Sequence, residues 1–398
     1  MQTYRETAPE LDPLRTRIAN LSERVDVLTK PHPTMVMDTA PKPRETHILD
    51  RGQYDAPLEK VVSATPDALP ALPNSEKATR LDLAHWMVDP SHPLTSRVAV
   101  NRIWTLFFGT GIVATSADFG SQGEWPSHPE LLDWLATDFV ANGWDQKALV
   151  REIVSSAAYR QDSSATKEQR ELDPKNRLVG RGPRFRLPAE FIRDQALAVS
   201  GLLVPRIGGP SVQPYQPAGL WKEVSHFGST GATKQVFTQD KGEKLYRRSL
   251  YTIMKRTSPH PAMMAFDAVN REMCIMERGT TNTPLQALVT LNDPQFVEAA
   301  RVFAARLLRE TDSADDHGRL AAAFEAITNR EPKEAELNAM LSFLSDERQR
   351  YRSDPEAAAK AVSVGESPLA EGLDHVEHAV WTQVSTMLLN LSETLTRS

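Results

Sequence analysis

From residue 75 to the end of the chain, apolar residues recur at three- and four-residue spacing in one segment after another, with proline or glycine between segments. That is the period of a helix with one buried face, and a set of such faces is satisfied by helices packing on one another. Leu81, Ala84, Met87 and Val88 share a face of a first helix, which should stop near Asp89-Pro90. A second is predicted over 94–108, with Val100, Ile103, Trp104 and Phe107 on one side, Arg97, Asn101 and Thr105 on another, and Gly109 as its C-cap. Ser127-His-Pro-Glu130 has the spacing of a capping box, so a third helix should carry Leu131, Leu132, Leu135 and Phe139 and end at Asn142-Gly143. Asp145 should cap a fourth, with Leu149, Ile153 and Val154 inward. Segment 161–187 reads as a polar loop, 188–203 as a helix opened by proline, and 205–245, rich in Gly, Pro, Ser and Thr, as a long surface loop. Residues 248–254 make a candidate strand, and helices are expected over 284–292, 294–308, 320–328, 333–351 and 375–391. The expected fold class is mainly α: a multi-helix bundle with a few short strands, over 75–398.

Upstream the pattern changes. Leu14, Ile18, Leu21, Val25 and Leu28 follow 4-3-4-3 spacing, the seam of a helix that packs on another helix. Two heptads are too few to stand alone, so 1–30 is expected to be a helical stub whose partner lies elsewhere, on another chain or an upstream region, and self-association is expected of its exposed face. Residues 31–74 hold Pro31, Pro33, Pro41, Pro43, Pro57, Pro66, Pro70 and Pro73, which predict an extended N-terminal strap, with one short strand at Thr46-His-Ile-Leu-Asp-Arg-Gly52.

With 40% apolar and 25% charged residues among 398, the chain is globular in composition. No apolar run approaches the length of a membrane span, and no secretory signal opens the sequence. The single Cys274 excludes internal disulfides, a cysteine-rich zinc site and covalent haem attachment through C-x-x-C-H. The net charge of −6 argues against nucleic acid as a partner, since phosphate neutralisation needs a basic excess. Charge is uneven, with 18 Lys+Arg against 11 Asp+Glu over 181–310 and 8 against 16 over 311–398. A local site for a carboxylate or sulfate therefore stays open.

The candidates for chemistry are correspondingly cationic. Arg97, Asn101 and Arg102 on the second helix could hold an anion, or form a buried ion-pair network. Asp118-Phe-Gly120 with Gln122-Gly-Glu124 is an acidic glycine-flanked loop; without a histidine pair it makes a weak metal site, and no metal is expected. His128, at a helix N-terminus, is a candidate base, and Asp118 and His128 are the only catalytic candidates. A hydrolytic carboxylate pair would have to come from Asp118, Glu124 and Asp133. The densest set is Arg247, Arg248, Tyr251, Arg256, Asp267, Arg271, Glu272, Arg278 and Asn282, with Cys274 among them. On a strand Arg247 and Arg248 point to opposite faces, leaving one guanidinium on each for a cationic pocket or for pairing with Asp267, Glu272 and Glu277. Phosphate-loop, nucleophile-elbow, zinc-protease and dinucleotide motifs are absent.

Leu81-Asp-Leu-Ala84, Asn101-Arg-Ile-Trp104, Asp118-Phe-Gly120, Ser127-His-Pro-Glu-Leu-Leu-Asp-Trp134, Gly208-Gly-Pro210, Tyr246-Arg-Arg-Ser249, Thr281-Asn-Thr-Pro-Leu-Gln286 and Leu291-Asn-Asp-Pro294 occur in this order. Together they resemble the planctomycete-specific domain of unknown function that forms the C-terminal half of planctomycete-type cytochrome c proteins. The resemblance runs from about Thr46 to the end, where Leu388-Leu-Asn-Leu-Ser-Glu393 is similar to that family's last helix. It implies a parent protein outside the cytoplasm, periplasmic or extracellular, with haem c on an upstream cytochrome domain as partner and carbohydrate as a candidate ligand. This chain lacks those modules and reads as a fragment of such a protein. Two functions stay open: the substrate-binding or catalytic part of an oxidoreductase acting on polysaccharide-derived or other anionic substrates, and a non-catalytic scaffold or docking domain with a structural arginine/carboxylate network.

Overall fold

A computed structural model describes residues 2–30, 35–36, 38, 44–72, 78–223, 236–310 and 315–397. The chain divides into two compact units, Met1–Trp86 and Met87–Ser398.

The first unit holds α1 (Gln2–Thr7), α2 (Asp12–Thr29), β1 (Thr46–Leu49) and β2 (Pro57–Val61), followed by α3 (Arg80–Met87), which crosses into the second. β1 and β2 pair antiparallel with Thr46 opposite Val61 and His47 opposite Lys60, so the proline-rich strap contains a hairpin where one strand was expected. Its turn uses left-handed backbone at Arg51 (φ 47°) and Gly52 (φ 79°), the second being glycine, which adopts it without a Cβ penalty. α3 begins later than the periodicity from Ser75 suggests, and Ser75 itself lies outside the described residues. Its expected inward face is wrong too, since Leu81, Met87 and Val88 are exposed.

Among the described residues the second unit contains two large hydrophobic cores and a small third cluster of Leu197, Tyr215, Leu245 and Tyr246. α4 (Thr95–Phe108), α5 (Pro129–Ala141) and α6 (Gln146–Ser155) enclose Val100, Trp104, Ile112, Leu132, Leu135, Phe139, Leu149 and Ile153. Gly109 ends α4 at φ 76°, where the Phe185 ring comes within 2.8 Å of the place a Cβ would take. Asp145 caps α6 by accepting from the Lys147 and Ala148 N–H groups. The expected capping box at Ser127 does not form. The cap residue of α5 is His128, and the Ser127 hydroxyl instead donates to the Ile112 carbonyl.

Segment 161–187 is not all loop: α7 (Lys167–Leu172) sits within it, headed by a Thr166/Gln169 capping box. β3 (Phe185–Arg186) then leads into α8 (Ala189–Ser200). In the 205–245 excursion lie α9 (Leu220–Glu223) and the start of a 3-10 turn, Gly242–Tyr246; residues 224–235 are outside the described set. The candidate strand 248–254 is also absent. Ser249–Tyr251 is a 3-10 turn, because Asp194 takes the Ser249 N–H at 2.7 Å and only single-residue bridges, Val204 to Arg247 and Val212 to Thr252, flank it.

α10 (Pro261–Ala265), α11 (Pro284–Asn292), α12 (Pro294–Glu310), α13 (Asp316–Thr328), α14 (Glu334–Ser353), α15 (Pro355–Ala361), α16 (His375–Leu389) and β4 (Thr396–Arg397) complete the chain. β4 pairs with β3. The larger core lies between α12 and α16: Ala299, Ala300 and Ala304 are fully buried and leave room for Trp381, Val384 and Leu388. The fold is mainly α, and among the described residues no helix is long and apolar enough to cross a membrane.

Candidate functional site

α8 organises the arginine-rich centre. Glu190, Arg193 and Asp194 lie on its first turns, with Arg193 turned inward and the two carboxylates, four residues apart, on a neighbouring face. Arg193 is 3% exposed and donates to the Leu245 carbonyl (2.6 Å), the Arg247 carbonyl (2.9 Å), the Ser249 hydroxyl (3.2 Å) and Gln295 Oε1 (2.6 Å). Burial lowers its pKa to about 10, against the pull of Asp194 and Asp293, so it stays charged at neutral pH. Its donors go to chain oxygens, which pins segment 245–249 onto α8 and α12.

The two neighbouring arginines part company as expected, through a turn instead of a strand. Arg247 is 2% exposed, donates to the Arg206 (2.8 Å) and Gly208 (2.7 Å) carbonyls, and stacks 3.8 Å over the Tyr251 ring. The Tyr251 hydroxyl accepts from the Gly208 N–H at 2.7 Å. Arg248 is exposed and reaches Asp194 Oδ2 at 3.5 Å.

Beyond Phe266 the chain runs without helix or strand to α11, and residues 270–285 are all exposed. Asp267 and Arg271 take left-handed backbone at φ 60°. Asp267 anchors the far end of the loop, accepting from the Thr281 N–H (2.7 Å) and hydroxyl. Arg186 donates to Asn282 Oδ1 (2.6 Å), Arg278 bonds Glu190 (2.7 Å), and Glu277 accepts from the Ser116 N–H (3.3 Å). Burial pushes the Glu190 carboxyl up, but the Arg278 bond and the charges of Arg278 and Arg271 outweigh it, and the net shift is downward. Burial lowers the Arg186 pKa against the pull of Asp267. Outward, the loop shows apolar residues: Met273 is 74% exposed, with Ile275 and Met276 at 43%, and Phe191 beside Glu190 and Leu250 beside Ser249 are exposed as well. Glu272 and the free Cys274 are exposed on the same loop.

The remaining candidates do not converge on this lattice. Arg97 pairs with Asp133 at 2.6 Å and also holds the Pro93 carbonyl, which removes Asp133 from any free carboxylate pair. Asn101 is fully buried and clamps Val113 by both its N–H (2.9 Å) and carbonyl (3.0 Å), a packing role. Arg102 and Arg256 are exposed, and among the described residues neither guanidinium has a hydrogen bond or ion pair. Asp118 accepts from the Gly120 N–H in a local turn at 2.7 Å. His128 shares a hydrogen bond with Ser127 and borders a cavity of about 10 Å³, room for one water. A larger groove of about 420 Å³ lies between α12 and 368–371 and shares no residue with the lattice. Among the described residues no three His, Cys, Asp or Glu side chains gather as a metal site.

Sequence reasoning missed a buried ionic group. Glu298 (1% exposed) accepts from the Tyr246 hydroxyl (2.9 Å) and the Ser367 N–H (2.6 Å), while Arg301 (2%) donates to the Val364 (3.0 Å) and Ser367 (2.8 Å) carbonyls. Burial and the Glu298 charge push the Tyr215 and Tyr246 hydroxyls up. Gly365, at φ 99°, leaves space a Cβ would lose, 2.3 Å from Glu298 Cδ. The available signal was two charges three residues apart among the alanines of α12's apolar face.

No curated protein and no solved structure matches this chain. The family model PSD1, described as a protein of unknown function (DUF1553), matches residues 79–344, two thirds of the chain, and the chain belongs to that family.

Proposed function

We propose that this chain is a non-catalytic docking module, the C-terminal part of a longer periplasmic or extracellular protein whose upstream domain carries haem c. The observation that carries the reading is the division of labour in the 266–283 loop. Arg278 is held by Glu190, Glu277 by the Ser116 N–H and Asn282 by Arg186, and Asp267 ties the loop's two ends together through Thr281, while Arg271, Glu272, Met273, Ile275 and Met276 are exposed. Exposed apolar residues held on an ionically anchored loop suit a protein partner better than a small anionic substrate. With one cysteine the chain has no C-x-x-C-H, so haem belongs to the partner domain in this reading.

A second reading rests on Arg256 and Arg271, two exposed guanidiniums that would hold a sulfated or uronate oligosaccharide. One experiment separates them. The purified chain is titrated with the haem-bearing domain of the same parent protein and, separately, with sulfated and uronate oligosaccharides in a thermal-shift assay. Docking predicts binding to the haem domain that Ile275→Asp with Met276→Asp weakens by about tenfold or more at unchanged melting temperature. A melting shift with oligosaccharide that Arg271→Ala abolishes would replace docking with substrate binding.

A further inference from the structure

α2 presents an apolar stripe to solvent along its whole length. Leu14, Ile18, Leu21, Val25 and Leu28 are 48–79% exposed, and no residue of the helix is buried. The spacing places Ile18 and Val25 at a positions and Leu14, Leu21 and Leu28 at d positions, and β-branched a with leucine d is the composition of parallel two-stranded packing. Charges are sorted around that seam. Arg17 and Arg24 occupy g positions, exposed and with no ion pair among the described residues, while Asp12, Glu23 and Asp26 fall at b and f, away from it. Arg15, at e, is folded back onto the Arg5 and Ala8 carbonyls and Asp12. The free flank of the seam is therefore basic on one side and neutral on the other, where Ser22 and Thr29 stand.

A second copy supplies no counter-charge. In a parallel pair the g residues face e residues of the next heptad, so Arg17 meets Ser22 and Arg24 meets Thr29; in an antiparallel pair g faces g, and Arg17 meets Arg24. Little more than two heptads of apolar seam is marginal without help from the flanks. We infer that α2 is the docking strand for a partner protein's amphipathic helix, one with a leucine/isoleucine seam and glutamate or aspartate opposite Arg17 and Arg24. This surface belongs to the first unit and does not depend on the docking loop proposed above.

The probe is a synthetic three-heptad peptide with Ile at a, Leu at d and Glu at e and g, labelled for fluorescence anisotropy and titrated with the full chain; a twin with Lys at e and g is the control. The acidic peptide is expected to bind at least about tenfold tighter than the basic one, with affinity falling as salt rises. Ile18→Ala with Leu21→Ala, which keeps helix propensity and touches no buried residue, should abolish binding, and Arg17→Glu with Arg24→Glu should transfer the preference to the basic peptide. Equal binding of both peptides, or none, overturns the inference. So does concentration-dependent dimerisation in sedimentation velocity that the alanine pair removes, which would assign the seam to a second copy.

Discussion

His260, 3% exposed, has Nε2 2.7 Å from the Tyr215 carbonyl oxygen, so the ring is a neutral donor there. Burial, with the charge of Arg193 adding to it, lowers its pKa from 6.5 to about 4. Between those values the unfolded chain binds a proton that the folded chain refuses, so stability falls as pH drops from 6.5 towards 4. The loss is at most about 1.4 kcal/mol per pH unit, about 3 kcal/mol in all. Urea unfolding at pH 7 and pH 4.5 should show this, and His260→Gln, which keeps a donor for Tyr215, should flatten the dependence; an unchanged dependence would place the acid sensitivity elsewhere. Further down, Glu336, whose bond to Arg330 lowers its pKa to about 2, adds stability that is present above about 4.5 and lost as pH falls towards 2. Arg193 is the other sensitive residue. Arg193→Leu strands two backbone carbonyls and two side-chain acceptors and should cost about 3–5 kcal/mol in the same assay, against near-neutrality for the exposed Arg256→Leu. At this scale the sequence separated Arg247 from Arg248 but not why. Alternation named the split, whereas the burial of Arg247 comes from the Arg206 and Gly208 carbonyls, about forty residues away along the chain, which no local pattern contains.

Elements were legible where the signal is local. The 3.6-residue period and Gly109 bounded α4 to within a residue, and Asp145 capped α6 as read. A capping box forms at Thr166 and not at Ser127, because the Ser127 N–H that the Glu130 side chain would have to accept is given to the Ile112 carbonyl (2.9 Å) and the helix begins one residue later with His128 as its cap, whereas Thr166 and Gln169 bond each other reciprocally. The strand over 248–254 failed for a related reason: Asp194 takes the Ser249 N–H that a ladder would need. These competitions predict an order of effects. Asp145→Ala should cost about 1 kcal/mol as a lost cap. Ser127→Ala removes no cap and should cost less than Asp145→Ala. Gly109→Ala should exceed both, since it meets left-handed backbone and the Phe185 ring together. Melting temperatures of the three variants test the ranking, and a Ser127→Ala loss as large as that of Asp145→Ala would restore the capping role denied to Ser127.

Across the whole molecule, stability is unevenly placed. In the first unit Ala8 is the only described residue that is both apolar and buried, and α2, β1, β2 and α3 bury none. Its elements rest on their own hydrogen bonds, and isolated helices and two-stranded hairpins are marginal in water. In the second unit α12 and α16 lie at the centre of the larger core, with Ala299, Ala300, Ala304, Val380, Trp381, Val384 and Leu388 wholly buried. Opening α12 or α16 exposes that core, so their amides should exchange only through global unfolding, whereas α2 and the hairpin exchange through local opening. Hydrogen–deuterium exchange by mass spectrometry should find peptides of 12–29 and 46–61 fully exchanged while those of 294–310 and 375–389 stay protected. Adding the acidic three-heptad peptide should then slow exchange in 12–29 alone, because a helix that binds only when formed is stabilised by its ligand. If 12–29 is as protected as 375–389 in the free chain, its stripe is covered already, and neither the exposure of Leu14 to Leu28 nor the partner helix inferred from it would stand.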